Sequence, residues 1–399
     1  MERVFLLLIL CTSTLFADNW PSFRGADGSA TTKLPLKISK SNLKWSFDLK
    51  GGGSSSPVVW GNKLFITAAN SGKLRLICVN TETGKEDWSK ALTTGEYHTH
   101  RFNNQAASSP LLTQSHVFIT WFDGQKNKGM LGAFTHDGKE AWTKVIGDFK
   151  GRHGFTLNPS THDGKVIVAH LHQGDSYVTL LNNKDGSEVW KVSFPPADVS
   201  YSKPLIRKNG SKYEVILTGP SIGMVSLDFN SGKQNWQLRN AHKLRTVASP
   251  VEVTIDGETY LSSSTKTYAY TAAKISGKPE VTWTAKKMGS YVPTHLAWKS
   301  SVFVLKDSGT LTEYNLKENK KVKQTDLKDN FYASPLLINN HIYCLSRNAK
   351  LSIVNPEDMS IVHKLDLNAP ESAEWTDSTP AVANDSLYIR LGNRLDCYK

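Results

Sequence analysis

Cysteine is scarce in this sequence. The chain of 399 residues has four, Cys11, Cys78, Cys344 and Cys397, with no adjacent pair and no Cys-x-x-Cys spacing, which argues against a disulfide framework or a cysteine zinc site. Beyond the first residues, no stretch approaches the roughly 18 uninterrupted apolar residues that a membrane span needs. Gly-x-Ser-x-Gly, the strand-to-helix turn of a serine hydrolase, is absent. Gly51-Gly52-Gly53 is not followed by a helix pattern or by Gly-Lys-Ser/Thr, so it is no phosphate loop and reads as a flexible crossing. No long segment carries a helical period. What remains is an ordinary globular balance, 39% hydrophobic and 21% charged, which excludes disorder. Lys and Arg outnumber Asp and Glu by 48 to 36, and the resulting charge of +12 permits an acidic partner.

Glu2 and Arg3 precede the apolar run Val4 to Leu10, and Leu15-Phe16-Ala17 forms a cleavage sequence. Residues 1–17 therefore read as an export signal, with the mature chain starting at Asp18. Cys11 sits inside the apolar run after Leu10, which argues against a lipid anchor. The expectation is a soluble, monomeric protein of the periplasm or the cell exterior, a location that argues against nucleic acid as its partner.

Eight prolines, Pro57, Pro110, Pro159, Pro204, Pro250, Pro293, Pro335 and Pro380, recur at a mean spacing of about 46 residues. Each follows a small, polar or apolar residue and leads into a short apolar strand, from Leu64-Phe65-Ile66 in the first repeat to Leu387-Tyr388-Ile389 in the eighth. In five repeats a Gly turn comes next, at Gly84, Gly138, Gly186, Gly232 and Gly277. A strand with a tryptophan then follows, Trp88, Trp142, Trp190, Trp236 and Trp283; repeats six and seven lack this Trp. Four short strands per repeat predict an all-β, eight-bladed β-propeller of four-stranded antiparallel blades. Apolar runs without polar alternation fit it, because each blade is covered on both faces by its neighbours.

The chain ends predict how the ring closes. Repeat eight stops at Leu395-Asp396-Cys397-Tyr398 with no Trp strand, whereas Leu43-Lys44-Trp45-Ser46-Phe47 is a Trp strand with no repeat of its own. Placing it outermost in blade eight completes that blade and removes an exposed edge. Residues 42–399 are then one propeller domain and residues 18–41 an N-terminal extension. Cys78 and Cys397 fall in neighbouring blades, whose roughly 10 Å separation is too wide for a disulfide, so free buried thiols are expected.

Proline, apolar strand, Gly turn and Lys-x-x-x-Trp at this period resemble the repeat of pyrroloquinoline quinone (PQQ) dehydrogenases and of BamB-like exported propellers. The likeness is best in blades one to four. Asn19-Trp20-Pro21-Ser22-Phe23-Arg24-Gly25 is similar to the opening of a group of secreted PQQ-like propellers. The resemblance implies a propeller and leaves activity open. The quinone enzymes are larger, often carry adjacent cysteines, and hold calcium beside a catalytic aspartate; no such set is readable here, so no cofactor and no metal are expected, with PQQ as the alternative.

In a propeller the connection from one blade's outer strand to the next blade's inner strand ends at the channel mouth. These connections hold His98, His100, Arg101, Arg152, His153, Tyr201, Arg245, Tyr291, Tyr332 and Trp375, with fewer carboxylates, among them Glu374 and Asp377. Rings that stack and guanidinium groups that bind in a fork suit a sugar-like or anionic ligand or a protein; the same side chains would otherwise plug the channel. Arg152 and Arg245 are expected outside the blade core. His98-x-His100 and His170-x-His172 could each give a metal two ligands, but without a third they read as solvent-exposed or hydrogen-bonded histidines. Ser54 to Ser56 and Ser262 to Ser264 read as strand and turn serines, and the basic run Lys317 to Lys323 as an exposed outer strand of blade six. The sequence thus points to a non-catalytic binding or scaffold propeller of the bacterial envelope, the alternative being a quinone-dependent oxidoreductase.

Overall fold

The computed structural model describes residues 19–93, 95–101, 103–371 and 375–399. The expected export signal, Phe102 and Glu374 lie outside the described residues. Eight sheets follow one another around a ring, each built on four antiparallel strands that are consecutive except at the closure, and blade seven gains a fifth, N-terminal strand. Blade one is typical: Val58–Trp60, Lys63–Asn70, Lys73–Asn80 and Glu86–Thr93 run from the inside out, and the two middle strands are mostly buried. Among the described residues, helix is confined to the short 3-10 turns Lys40–Asn42 and Lys266–Tyr268. Leu43–Asp48 pairs antiparallel with Arg394–Tyr398, Trp45 opposite Cys397 and Phe47 opposite Leu395, so the predicted closing strand is the outer strand of blade eight. The largest apolar cluster spans that junction, joining blades seven, eight and one to Trp20, Leu34 and Ile38. Cys78, Cys344 and Cys397 are free and buried.

The Gly turns have a second reason besides their backbone. The φ angles at Gly84, Gly138, Gly186 and Gly232 are all positive, between 67° and 80°. Each also lies under the indole of the preceding blade. A β-carbon there would come within 2.6 to 2.9 Å of the rings of Trp45, Trp88, Trp142 and Trp190, respectively. Each indole N–H then donates to a carbonyl in the same turn region, Thr81, His136, Asn183 and Phe229, at 2.9 to 3.0 Å. The stitch runs from blade eight to blade four and stops there: at Gly277 nothing lies within 4 Å. Trp283 in blade five packs instead on Tyr270 and Tyr314, with ring centroids 5.1 and 5.4 Å away.

Seven of the eight repeat prolines immediately precede an inner strand. Pro293 does not, because the inner strand of blade six is Leu296–Trp298 and His295 holds the register position. Sequence spacing placed that repeat two residues early. The residues preceding these positions form a hydrogen-bonded ring around the channel, each backbone N–H donating to the side-chain oxygen of the next blade. Ser56 donates to Ser109, Ser109 to Asn158, Lys203 to Ser249, Ser249 to Thr294, Thr294 to Ser334, Ser334 to Thr379 and Thr379 to Ser56, at 2.9 to 3.0 Å. The link from Asn158 is the missing one, since Lys203 has no acceptor to offer. Backbone N–H groups facing the channel would otherwise lack partners, which explains the hydroxyl and amide residues at these sites.

Residues 19–30 cross the channel beneath this ring. Trp20 exchanges backbone hydrogen bonds with Val59 of blade one, and the Pro21 carbonyl accepts from Leu112 of blade two. Ser22 and the Phe23 carbonyl accept from the Lys203 ammonium of blade four. Ser29–Ala30 finally adds a parallel strand inside blade seven. Gly51-Gly52-Gly53, read as flexible, is instead packed: Gly52 pairs with Ala69, and a β-carbon at Gly53 would lie 2.5 Å from the Arg390 guanidinium.

Candidate functional site

Alternating strand direction puts the blade-to-blade connections on one face, together with the hairpins between second and third strands. There they enclose a cavity of about 200 Å³ on the propeller axis. Its floor is Phe23, its lower wall the polar ring with Ser56, Ser109, Asn158, Ser249, Thr294, Ser334 and Thr379, and its upper wall His153, Tyr201, Tyr291 and Tyr332. The crossing segment thus makes the channel a pocket with one open end.

Of the residues expected at the mouth, five line this cavity: His153, Tyr201, Tyr291, Tyr332 and Asp377. Tyr201 donates its hydroxyl to the Gly154 carbonyl at 3.0 Å. His100 stands behind His153, ring centroids 4.3 Å apart. Burial, then the charges of Arg245, His100 and Arg152, lowers the His153 imidazole to about 4, so it is neutral at physiological pH. Arg101 and Trp375 line an adjoining crevice between blades eight and one, and His98 and Arg152 are exposed on the rim.

Arg245 corrects an expectation. It is 6% exposed, donates from Nε to the Tyr291 hydroxyl at 3.0 Å and has Asp198 3.6 Å away, so it supports the wall from behind. Two further groups come from the second-to-third-strand hairpins and not from the blade-to-blade connections. Arg347 forms a fork with Asp377, at 2.7 and 3.1 Å, and is clamped between the rings of Tyr332 and Trp375 at 4.0 and 4.2 Å. Asp307 accepts the backbone N–H groups of Tyr291 and Val292 at 2.7 and 3.2 Å. Burial pushes its carboxyl up to about 6 in spite of those bonds. The signal available was positional: Asp307 and Arg347 begin equivalent turns one blade apart. The apparent surplus of cations is therefore largely matched inside the mouth, Arg245 by Asp198 and Arg347 by Asp377.

The remaining candidates resolve into packing. His170 and His172 lie 4.2 Å apart, one ring nitrogen of each hydrogen-bonded and the other, Nδ1 of His170 and Nε2 of His172, buried without a partner. Ser262 to Ser264 bind two buried histidines: Ser263 meets His242 at 2.7 Å, and Ser262 and Ser264 hold His295 at 2.8 and 2.6 Å. Ser264 and His295 have the spacing of a nucleophile and base, but both are 0% exposed and no substrate reaches them. The basic strand Lys320–Asp326 of blade six is exposed along nearly its whole length. Among the described residues no three His, Cys, Asp or Glu side chains converge on a metal position. The donor set does not fit a calcium-quinone pair either, since Asp307 is spent on two backbone N–H groups and Asp377 on Arg347. No helix of the described residues is long and apolar enough to cross a membrane.

Comparison with known proteins agrees with this architecture. The chain is similar to the structure of BamB from Moraxella catarrhalis, at 14% identity and a TM-score of 0.61, over 90% of this chain and 97% of that one. A quinohemoprotein alcohol dehydrogenase from Comamonas testosteroni aligns at 12% identity and a TM-score of 0.69, over 95% and 80% of the two chains. A europium-containing methanol dehydrogenase aligns at 11% and 0.66, over 94% and 90%. Likeness at this level shows the fold and no more. No curated protein sequence matches. The family described as outer membrane protein assembly factor BamB matches residues 40–145 and 127–290, more than half of the chain. This chain belongs to that family of PQQ-like propellers.

Proposed function

We propose that the protein is a non-catalytic binding module of the bacterial envelope whose axial pocket receives a neutral, sugar-like ligand, such as a segment of an envelope glycan. The observation that carries this reading is the pocket itself, closed below by Phe23 and walled by Tyr201, Tyr291 and Tyr332 above hydroxyl and amide side chains. Aromatic faces stack on the C–H faces of sugars, while hydroxyls and amides exchange hydrogen bonds with theirs. The paired arginines and the neutral His153 leave little net charge inside, which favours a neutral ligand over an anionic one. An envelope location is supported by the apolar leader and by the family's description.

The test is a glycan array followed by calorimetry on the purified protein and on Tyr332→Ala and Tyr201→Phe. Loss of a stacking ring removes about 1 kcal/mol, so Tyr332→Ala should bind roughly five- to tenfold more weakly. Binding unchanged in both variants would remove the pocket from consideration. Adding PQQ and calcium should leave the protein's absorbance the sum of its parts; a bound-quinone spectrum would overturn the non-catalytic reading.

A further inference from the structure

The other side of Phe23 carries a different chemistry. A cavity of about 390 Å³ surrounds residues 21–27 and the inner strands of blades two to six. Four charged residues line it: Arg24, Asp27, Lys203 and Glu252. The two carboxylates are engaged elsewhere. Asp27 accepts the N–H and hydroxyl of Ser29 at 2.8 and 2.6 Å, and Glu252 accepts Arg207 at 2.6 and 3.3 Å. The two cations have no such partner. Among the described residues the Lys203 ammonium donates only to the Ser22 hydroxyl and the Phe23 carbonyl, at 2.8 and 3.3 Å. Arg24 reaches one carbonyl, that of Pro335, at a long 3.5 Å, and its buried Nε has no partner. Among the described residues neither has a carboxylate within ion-pair distance.

Two unneutralised cations inside a protein are each costly to desolvate, and chains avoid the arrangement unless an opposite charge joins them. Here the chain also departs from its own pattern to make it. Lys203 replaces a hydroxyl or amide residue and breaks the hydrogen-bonded ring, and Arg24, a non-glycine residue, holds a φ of 62°. Burial, and then the charge of its neighbour, lowers the Lys203 ammonium to about 8. For Arg24 burial lowers the guanidinium to about 10, against the nearby charge of Asp27, which raises it without forming an ion pair.

We propose that Arg24 and Lys203 form a binding site for a compact oxyanion, a phosphate or sulfate group, in the lower channel. The guanidinium offers a fork to two oxygens, the ammonium a third contact, and the bound charge ties the crossing segment to blades four and seven. The cavity is larger than one such ion, so it also admits a small molecule that carries the group. This site is separate from the mouth pocket and does not depend on its ligand.

The experiment is thermal unfolding of the full chain in chloride buffer, titrated at constant ionic strength with inorganic phosphate, sulfate or glycerol phosphate. Wild type should show a saturable rise in Tm. Lys203→Met keeps the stem and removes the charge; it should be at least as stable as wild type in chloride and need at least tenfold more anion for any rise. Because general salt effects act on both proteins alike, the difference reports the site. Arg24→Met should behave similarly; if it does not fold, Lys203→Met decides. A response to glycerol phosphate at lower concentration than to phosphate supports an organic phosphate as the natural occupant, and the reverse order supports the free ion. No saturable rise in wild type, an equal rise in Lys203→Met, or loss of the rise in the rim variant Arg152→Ala would overturn the proposal.

Discussion

Trp45, on the strand that closes the ring, lies over Gly84 so closely that a β-carbon at Gly84 would stand 2.6 Å from its indole. Blade eight is thus locked to blade one by the same contact that joins blades one to four. The closure carries the stitch at full strength while blades five to seven lack it.

Comparing Gly84→Ala with Gly277→Ala isolates this contact. Both glycines have φ near +70°, which costs alanine about 1 kcal/mol. Only Gly84 also meets a ring, and overpacking adds about 1–3 kcal/mol. Calorimetry should show the larger loss for Gly84→Ala; equal losses would mean that the indole moves aside freely.

Arg245→Ala should destabilise the protein by about 1–3 kcal/mol, because the Tyr291 hydroxyl loses its donor and Asp198 its counter-charge. Arg152→Ala, on the exposed rim, should leave Tm within experimental error. Chemical denaturation of both separates a wall support from a surface charge.

His242 and His295 are held neutral by burial, their imidazoles lowered to about 4 and about 3. The folded pKa lies below the unfolded value, so unfolding takes up protons below about pH 6.5. Stability is complete above that pH and falls as it drops toward 4, each histidine contributing up to about 1.4 kcal/mol per pH unit. Asp307, raised to about 6, acts in the opposite sense over about pH 4 to 6. Unfolding measured from pH 7 to 4 should show a shallower decline in His295→Gln than in wild type; parallel curves would reject the assignment.

Burial pushes the Cys78 thiol up to about 12 and that of Cys397 to about 11, and raises Cys344 as well. None of the three should react with an aromatic disulfide reagent in the folded protein, and all should do so in denaturant. Non-reduced peptide mapping should find no linkage between Cys78 and Cys397.

The propeller was legible in the sequence because its signals are local and repeated: an apolar strand, a Gly turn and a Trp recur wherever the same packing recurs. The closing strand was legible from two incomplete ends that fit each other. Pro293 misled because a proline stood near the expected spacing, while the position itself is held by His295, whose side chain binds two serines of the neighbouring blade five. The mouth was half legible. Connections such as Tyr201 and Tyr291 follow from topology, but Arg347 and Asp377 meet across a hairpin and a connection that no sequence period relates. Lys203 was visible as the one basic residue in a column of small polar ones, a signal that acquires meaning only once the column is known to be a ring.

The pairing of Leu43–Asp48 with Arg394–Tyr398 also orders events in time. The strand that closes the ring is made before the first blade, and its partner after the other seven. Contacts so distant in sequence form slowly, because the intervening chain must be ordered first. Until then Trp45 and Phe47 have no partner strand and blade eight presents an open edge. A newly made chain is therefore most exposed to aggregation or proteolysis while these two segments wait for each other.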